Sequence, residues 1–262
     1  MLDEVARSTF PRIMAVAERC SLSIVLPCFN EAATIEAVAR RAASVARGLT
    51  QRLEIIVVDD GSTDDTSAVV SVLECELPEL RHVRHAENLG YGAALRAGFE
   101  RSTGDLIFYT DADGQFDLDE LPRLLAMLDD YDVVSGYRLS RRDGPLRYLF
   151  GVAWTALTDA LLATGVRDVN CAFKVFPRSL LEPSALRSTG ALLGAELLSE
   201  ARRNGLRIGE LGVSHHPRRA GRPTGAYPAV VGRAFRELFM LVQERAASGA
   251  RSSAISTPPP VR

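Results

Sequence analysis

From Leu22 onward the chain alternates short, largely β-branched apolar runs with stretches of helical period. The runs cover 22–26, 53–58, 81–84, 106–109 and 132–134, and helical spacing fills 31–48, 64–76, 91–102 and 117–129. Strands separated in this way by helices predict a parallel sheet covered on its faces by helices. Asn30 and Thr63 stand where N-caps are expected, and Asp117 with Glu120 three residues later has the spacing of a capping box. Each strand is therefore expected to feed a loop and then a helix.

Beyond Arg138 the alternation stops. A helix led by Pro145 is expected to about 163, followed by a short extended piece at 172–176 and a helix over 190–204 that stops at Asn204-Gly205. A strand over 206–213, an Arg- and Gly-rich loop over 215–225 and a last helix over 227–247 complete the pattern. The end is rich in Ser, Ala and Pro and reads as a disordered tail. The organisation expected is an N-terminal extension (1–20), one α/β domain (21–225), a C-terminal helix (226–247) and a tail (248–262).

Composition narrows the class without naming a function. Among 262 residues, 47% are hydrophobic and 24% charged, which excludes a wholly disordered or collagen-like chain. The formal charge of −2 argues against nucleic acid as a partner. It conceals two unlike halves, because residues 1–120 hold 11 basic and 21 acidic side chains and residues 121–262 hold 20 and 12. Lys174 is the single lysine among 31 basic residues; a base-composition bias accounts for this, with selection for fork-shaped arginine contacts to phosphate as the alternative. Cys20, Cys28, Cys75 and Cys171 lack C-x-x-C spacing, and the charged first twenty residues do not read as a signal peptide. A cytoplasmic chain with no transmembrane helix is expected, with peripheral contact to a membrane left open.

In an open α/β sheet the ligand lies outside the carboxyl ends of the strands. Those ends carry Pro27-Cys28-Phe29-Asn30-Glu31, Asp59-Asp60-Gly61-Ser62, Asn88-Leu89-Gly90-Tyr91-Gly92, Asp111-Ala112-Asp113-Gly114-Gln115 and Gly136-Tyr137-Arg138. Carboxylates gathered on one rim need a compensating cation, so Asp111 and Asp113 suggest an oxygen-liganded divalent metal working with a phosphate-bearing ligand. Neither G-x-G-x-x-G nor G-K-[ST] follows the first strand, which argues against a dinucleotide fold and a P-loop. His215 and His216 are adjacent on an extended segment and point to opposite faces, so they do not read as a metal pair.

The runs I-V-L-P-C-F-N-E (24–31), I-V-V-D-D-G-S-T-D-D (56–65), N-L-G (88–90) and D-A-D-G-Q (111–115), in this order, resemble glycosyltransferase family 2. The resemblance is strongest to the branch of dolichol-phosphate mannosyltransferases and bacterial polyprenyl-phosphate glycosyltransferases, over roughly residues 21–225. Gln115, Gly136-Tyr137-Arg138, Arg147, 168–173, Glu196, and Arg218 with Gly221 carry it. It implies a GT-A fold, with a single mostly parallel open sheet flanked by helices and a Rossmann-like nucleotide half. It implies a nucleotide-sugar pocket lined by Pro27, Phe29, Asn30, Glu31, Val58, Asp59, Asp60, Asp111, Ala112 and Gln115. A Mg²⁺ or Mn²⁺ ion would be held by Asp111, Asp113 and Gln115. Asp113, Arg138, Arg147 and Arg218 would carry catalysis, the arginines by contacting donor and acceptor phosphates.

The implied reaction is inverting transfer of a sugar from a GDP-mannose or UDP-glucose type donor to a polyprenyl or dolichyl phosphate. A phosphate monoester has its second pKa near ~6 and needs no general base at neutral pH, whereas a hydroxyl acceptor does. Family members with hydroxyl acceptors typically place an E-D pair at the start of the late helix; here Glu196 is followed by Leu197, which favours phosphate. Gly151, and Arg222-Pro223-Thr224 after Gly221, depart from the mannosyltransferase pattern and leave sugar and acceptor open. The apolar residues near Arg147 (Leu149, Phe150, Val152, Trp154, Leu157) and those of the last helix (Phe235, Leu238, Phe239, Leu241, Val242) are candidates for membrane or partner contact, with core packing as the alternative. A hydroxyl-directed transferase and a non-catalytic nucleotide-sugar-binding protein remain the alternatives. A phospho-receiver is disfavoured because Lys174 lies far from Asp59 in sequence.

Overall fold

The computed structural model describes residues 20–50, 52–139, 145–181, 186–218 and 227–255. Seven strands form one sheet: β1 (Leu22–Cys28), β2 (Leu53–Asp59), β3 (Leu80–Arg84), β4 (Leu106–Thr110), β5 (Val133–Arg138), β6 (Phe173–Pro177) and β7 (Ile208–Val213). Their order across the sheet is β3-β2-β1-β4-β6-β5-β7. All neighbours are parallel except β6, which runs antiparallel to both β4 and β5. β1 is buried along its whole length and β2 along all but its first residue, which is why both read as continuous apolar runs.

The helices are α1 (Ile35–Ala46), α2 (Thr66–Glu76), α3 (Tyr91–Arg101), α4 (Leu121–Ala126), α5 (Pro145–Leu162), α6 (Leu193–Arg203) and α7 (Pro228–Ile255). On α1 the buried stripe is mostly small, Ala39, Ala42, Ala43 and Ala46, which lets the helix lie close on the sheet. The stop expected after 204 is present. Gly205 has φ +74°, its N–H donates to Arg202 O, and Leu206 N donates to Ala201 O, closing α6 in a Schellman motif.

The predicted caps turn out differently. Asn30 does not cap α1, which begins five residues later. It holds a left-handed backbone (φ 57°), and its Oδ1 accepts from Thr63 N at 2.8 Å and Asp64 N at 3.3 Å, joining the loop after β1 to the loop after β2. Thr63 caps nothing either; Asp64 Oδ1 accepts from Thr66 N at 3.0 Å as α2 starts. The helix expected over 117–129 is broken into 3₁₀ turns at Leu118–Glu120 and Met127–Asp129 around the short α4. Asp117 accepts from Asp119 N at its start, but Glu120 does not reach back to close a capping box. Its carboxylate instead takes Ser214 N (2.8 Å) and Ser214 Oγ (3.2 Å) just past β7. At the C-terminus α7 continues to Ile255, so 248–255 belong to a helix rather than to the tail expected from composition.

Lys174 is a core residue, 1% exposed. Its Nζ donates to Val169 O at 3.2 Å and to Cys171 O, and lies 5.7 Å from the centroid of the Tyr109 ring. Burial pushes its pKa down.

Candidate active site

β2 and β4 flank β1 on opposite sides, so the strand order reverses at β1/β4, and the crevice above that reversal is where such a sheet binds ligand. The loops after β1 and β4 bring Glu31 and Asp113 there. Arg218, 187 and 105 residues further along the chain, joins them: Nη1 donates to Glu31 Oε1 at 2.9 Å and Nη2 to Asp113 Oδ2 at 2.8 Å. Its Nε is buried and has no acceptor among the described residues. Thr34 Oγ1 donates to the other Glu31 oxygen at 3.1 Å. Burial pushes the Glu31 carboxyl above its usual range, against the pull of Arg218.

Asp113 Oδ1 accepts from Gln115 N at 3.0 Å, an Asx-type turn that presents both Asp111 and Asp113 at the rim. Asp111 is pushed up to about 7, first by burial and then by the charge of Asp113, against a hydrogen bond from Tyr91 Oη to its Oδ1 at 2.9 Å. Gln115 Nε2 donates to His216 O at 2.8 Å and His216 N to Gln115 O at 2.7 Å. The side-chain amide is thereby oriented, with Oε1 as its remaining acceptor. His215 sets its ring edge-on against Phe116, with centroids 5.0 Å apart.

Among the described residues no three His, Cys, Asp or Glu side chains converge as a closed metal cage. Two neighbouring carboxylates and an amide oxygen nonetheless fit a hard divalent ion that completes its coordination with substrate oxygens. Burial and then the neighbouring charge of Asp113 raise Asp111, and a bound cation would offset both.

Other predicted residues have other surroundings. Asp59 is fully buried; Oδ1 accepts from Ser62 N at 2.8 Å, while Oδ2 has no hydrogen-bond partner among the described residues and Arg84 Nε stands 3.7 Å away. Asp60 is consumed by the fold, taking His85 Nδ1 (2.7 Å), Leu89 N (3.0 Å) and Gly90 N (2.8 Å). Val58 and Ala112 are buried, Pro27 is buried beside Val58 in register, and Phe29 and Asn30 are half-buried at the rim. Arg138 forms a bidentate pair with Asp168, Nε to Oδ2 at 2.7 Å and Nη2 to Oδ1 at 2.9 Å, so its charge is balanced within the protein. Arg147 lies in α5, but its side chain falls outside the described residues, as do Gly221 and 222–224.

Glu196, on α6, is buried, and its two oxygens accept Arg187 N and Ser188 N, both at 2.9 Å. It anchors a loop and is unavailable as a general base. Tyr91 is not among the residues the motifs point to; a tyrosine one residue past Gly90, whose φ is +105°, and bonded to the D-x-D is the feature that places it in the site.

The model of glycosyl transferase family 2 matches residues 23–184. The chain is a family 2 glycosyltransferase. This transferase is 31% identical over 221 residues to the glycosyltransferase AglD of Haloferax volcanii, covering 78% of the chain and 34% of AglD. It is 34% identical over 164 residues to an undecaprenyl-phosphate 4-deoxy-4-formamido-L-arabinose transferase of Sodalis glossinidius, covering 62% of the chain and 50% of that protein. The chain therefore spans a third to a half of the length of these curated relatives. Among solved structures, glucosyl-3-phosphoglycerate synthase of Mycobacterium tuberculosis with Mn²⁺, UDP-glucose and phosphoglyceric acid superposes with a TM-score of 0.68 at 25% identity, over 88% of the chain and 83% of that structure. The GT-A architecture expected from the motifs is the architecture present. No helix among the described residues is long and apolar enough to cross a membrane.

Proposed function

We propose that the transferase moves a sugar, with inversion, from a nucleoside-diphosphate sugar to a polyprenyl phosphate. The observation that carries the reading is the convergence of Glu31, Asp113 and Arg218 at the β1/β4 crevice, beside Asp111. A divalent cation, Mg²⁺ or Mn²⁺, when bound there would supply positive charge to the departing diphosphate. Arg218, shared between two carboxylates and retaining an unused buried Nε, is placed to turn that donor to a phosphate oxygen. Asp59 Oδ2, buried and without a hydrogen bond, is the acceptor available to a base N–H of the nucleotide.

For the acceptor, the engagement of Glu196 by two backbone amides supports a nucleophile that needs no base. A phosphate monoester meets that requirement at neutral pH. Two observations support the lipid: the arabinose transferase is named for undecaprenyl phosphate, and α5 and α7 present an apolar surface that suits a bilayer face. On that surface Phe150 is 67% and Phe239 62% exposed, with Leu149, Val231, Phe235 and Met240 also open and Trp154 packed edge-on against Phe235. This favours peripheral attachment.

The test is transfer of radiolabel from UDP-glucose and from GDP-mannose, with Mg²⁺ or Mn²⁺, to undecaprenyl phosphate and, separately, to phosphoglyceric acid. An organic-extractable product labile to mild acid is expected. Label found only in water-soluble products would overturn the lipid reading, and no transfer with intact donor binding would favour a nucleotide-sugar-binding role.

A further inference from the structure

The loop that carries Tyr91 is gripped from two sides. From β2, Asp60 takes Leu89 N and Gly90 N; from the far end of the chain, Arg233 on α7 donates through Nη1 and Nη2 to Leu89 O at 3.2 and 3.1 Å. Arg233 Nη2 also bonds Thr189 Oγ1, and its Nε pairs with Glu237 at 3.3 Å, one helical turn along. Glu237 in turn accepts Thr189 N and Thr189 Oγ1 at 3.1 Å and Gly190 N at 3.3 Å. The start of α3 rests on this same 189–190 turn, with Ala93 N donating to Thr189 O at 3.1 Å.

The fit leaves no room for side chains. A Cβ on Gly90 would stand 2.8 Å from Arg233 Nη1, and one on Gly92 would stand 2.5 Å from Gly190 O. Gly90 also holds φ +105°. Gly90-Tyr91-Gly92 is thus a tyrosine set between two glycines that press the chain against a turn held by α7. The only polar group on that tripeptide's side chains, Tyr91 Oη, ends on Asp111 Oδ1.

We propose that Arg233 and Glu237 are positioning residues of the donor site: by fixing the 88–91 loop and the 189–190 turn, they hold Tyr91 so that its hydroxyl sets the place of Asp111. The inference rests on the donor-site reading above for its functional consequence, but its structural content stands on the contacts themselves. The hydrogen bonds of both residues go to Leu89, Thr189, Gly190 and each other. Arginine suits the position because a planar fork can engage a carbonyl, a hydroxyl and a carboxylate at once, which a lysine ammonium on a flexible stem does not reproduce.

The experiment uses the full chain and the variants Arg233→Met, Tyr91→Phe and the double variant. Hydrogen–deuterium exchange is followed in the segments 88–92 and 110–115, and UDP-glucose affinity is measured calorimetrically with Mn²⁺ present. Arg233→Met is expected to speed exchange in both segments and weaken UDP-glucose by about tenfold, the scale of one hydrogen bond to a charged group. Tyr91→Phe should weaken UDP-glucose to a similar extent and speed exchange at 110–115 while leaving 88–92 protected. Because the contacts act in series, the double variant should lose no more affinity than either single one. Additive losses, or a loop that loosens in Arg233→Met with unchanged affinity, would overturn the inference. Should Arg233→Met fail to fold, unchanged affinity and exchange in Tyr91→Phe would overturn it. Wild-type protein that binds no nucleotide sugar would defeat the donor-site reading instead, and unchanged exchange at 110–115 in both variants would then defeat the inference separately.

Discussion

Asp113 and Arg218 illustrate how one side chain can belong both to the fold and to the chemistry. Replacing Asp113 by alanine removes a carboxylate from the proposed divalent site and leaves Arg218 with Glu31 alone. Metal-dependent transfer is expected to fall by about 100-fold or more, the usual scale for losing a group that stabilises transition-state charge; steady-state assays across a Mn²⁺ titration check this. Arg218→Ala should lower kcat/KM for the donor by about 10- to 100-fold, while circular dichroism stays that of the folded protein, since the lost contacts lie at the rim. Unchanged kinetics would reduce Arg218 to a structural ion pair. Most of these residues were legible from motif order alone, because the D-x-D and the β1 loop lie on strand ends that any parallel sheet brings together. What the motifs did not disclose is who neutralises whom. Arg138 looks like Arg218 in sequence, yet one is satisfied by Asp168 in a bidentate pair and the other is divided between two carboxylates. Only three-dimensional pairing separates them.

Among elements, β1 with its two neighbours has the least tolerance. Gly98 of α3 faces this strand, and a Cβ there would fall 2.3 Å from Val25 Cγ1. Gly98→Ala is accordingly expected to destabilise the protein by about 1–3 kcal/mol, as overpacking of a tight core does, measured as a shift in denaturation midpoint. At the opposite end of the strands, Glu54 Oε1 accepts Thr103 N at 2.5 Å, Gly104 N at 3.2 Å and Ser23 Oγ. Burial alone would raise this carboxyl, but these hydrogen bonds outweigh it and hold it below the usual glutamate value of 4.5. A carboxyl whose folded pKa is depressed contributes stability that is full above the unfolded value and is lost as pH falls through the folded one. Stability should therefore decline below about pH 4.5, and Glu54→Gln should flatten that decline in acid titrations followed by fluorescence. Strand positions were well read from apolar runs. The starts of α1, α2 and α4 were not, because Asn30, Thr63 and Glu120 use their side chains to tie one loop to another, and a capping-type residue has the same sequence appearance whether it closes its own helix or a neighbour's loop.

At the scale of the whole molecule, the acidic N-terminal portion supplies Glu31, Asp111 and Asp113 of the crevice, whereas the C-terminal portion supplies Arg218, Arg233 and the apolar face shared by α5 and α7. If that face meets a bilayer, Phe150→Ser with Phe239→Ser should reduce co-sedimentation with anionic phospholipid vesicles several-fold while leaving UDP-glucose affinity intact; equal sedimentation would remove the surface from the functional account. The parallel run of the first four strands could be anticipated from the helices between them. The reversed direction of β6 could not, since a five-residue apolar strand carries no mark of its orientation. The spacing of paired strands has a kinetic consequence. β1 and β3 pair with β2 across 31 and 25 residues, whereas β4 pairs with β1 across 84 residues at Leu22 and Leu106, and β6 with β4 across 71 at Leu106 and Pro177 before it receives β5 on its other edge. Contacts of such sequence separation form late, after the loop-closure entropy has been met. β1, β2 and β3 are thus expected to pair first and β4, β6 and the Arg138–Asp168 rim last, so that weakening substitutions at that rim accelerate unfolding and leave the refolding rate nearly unchanged.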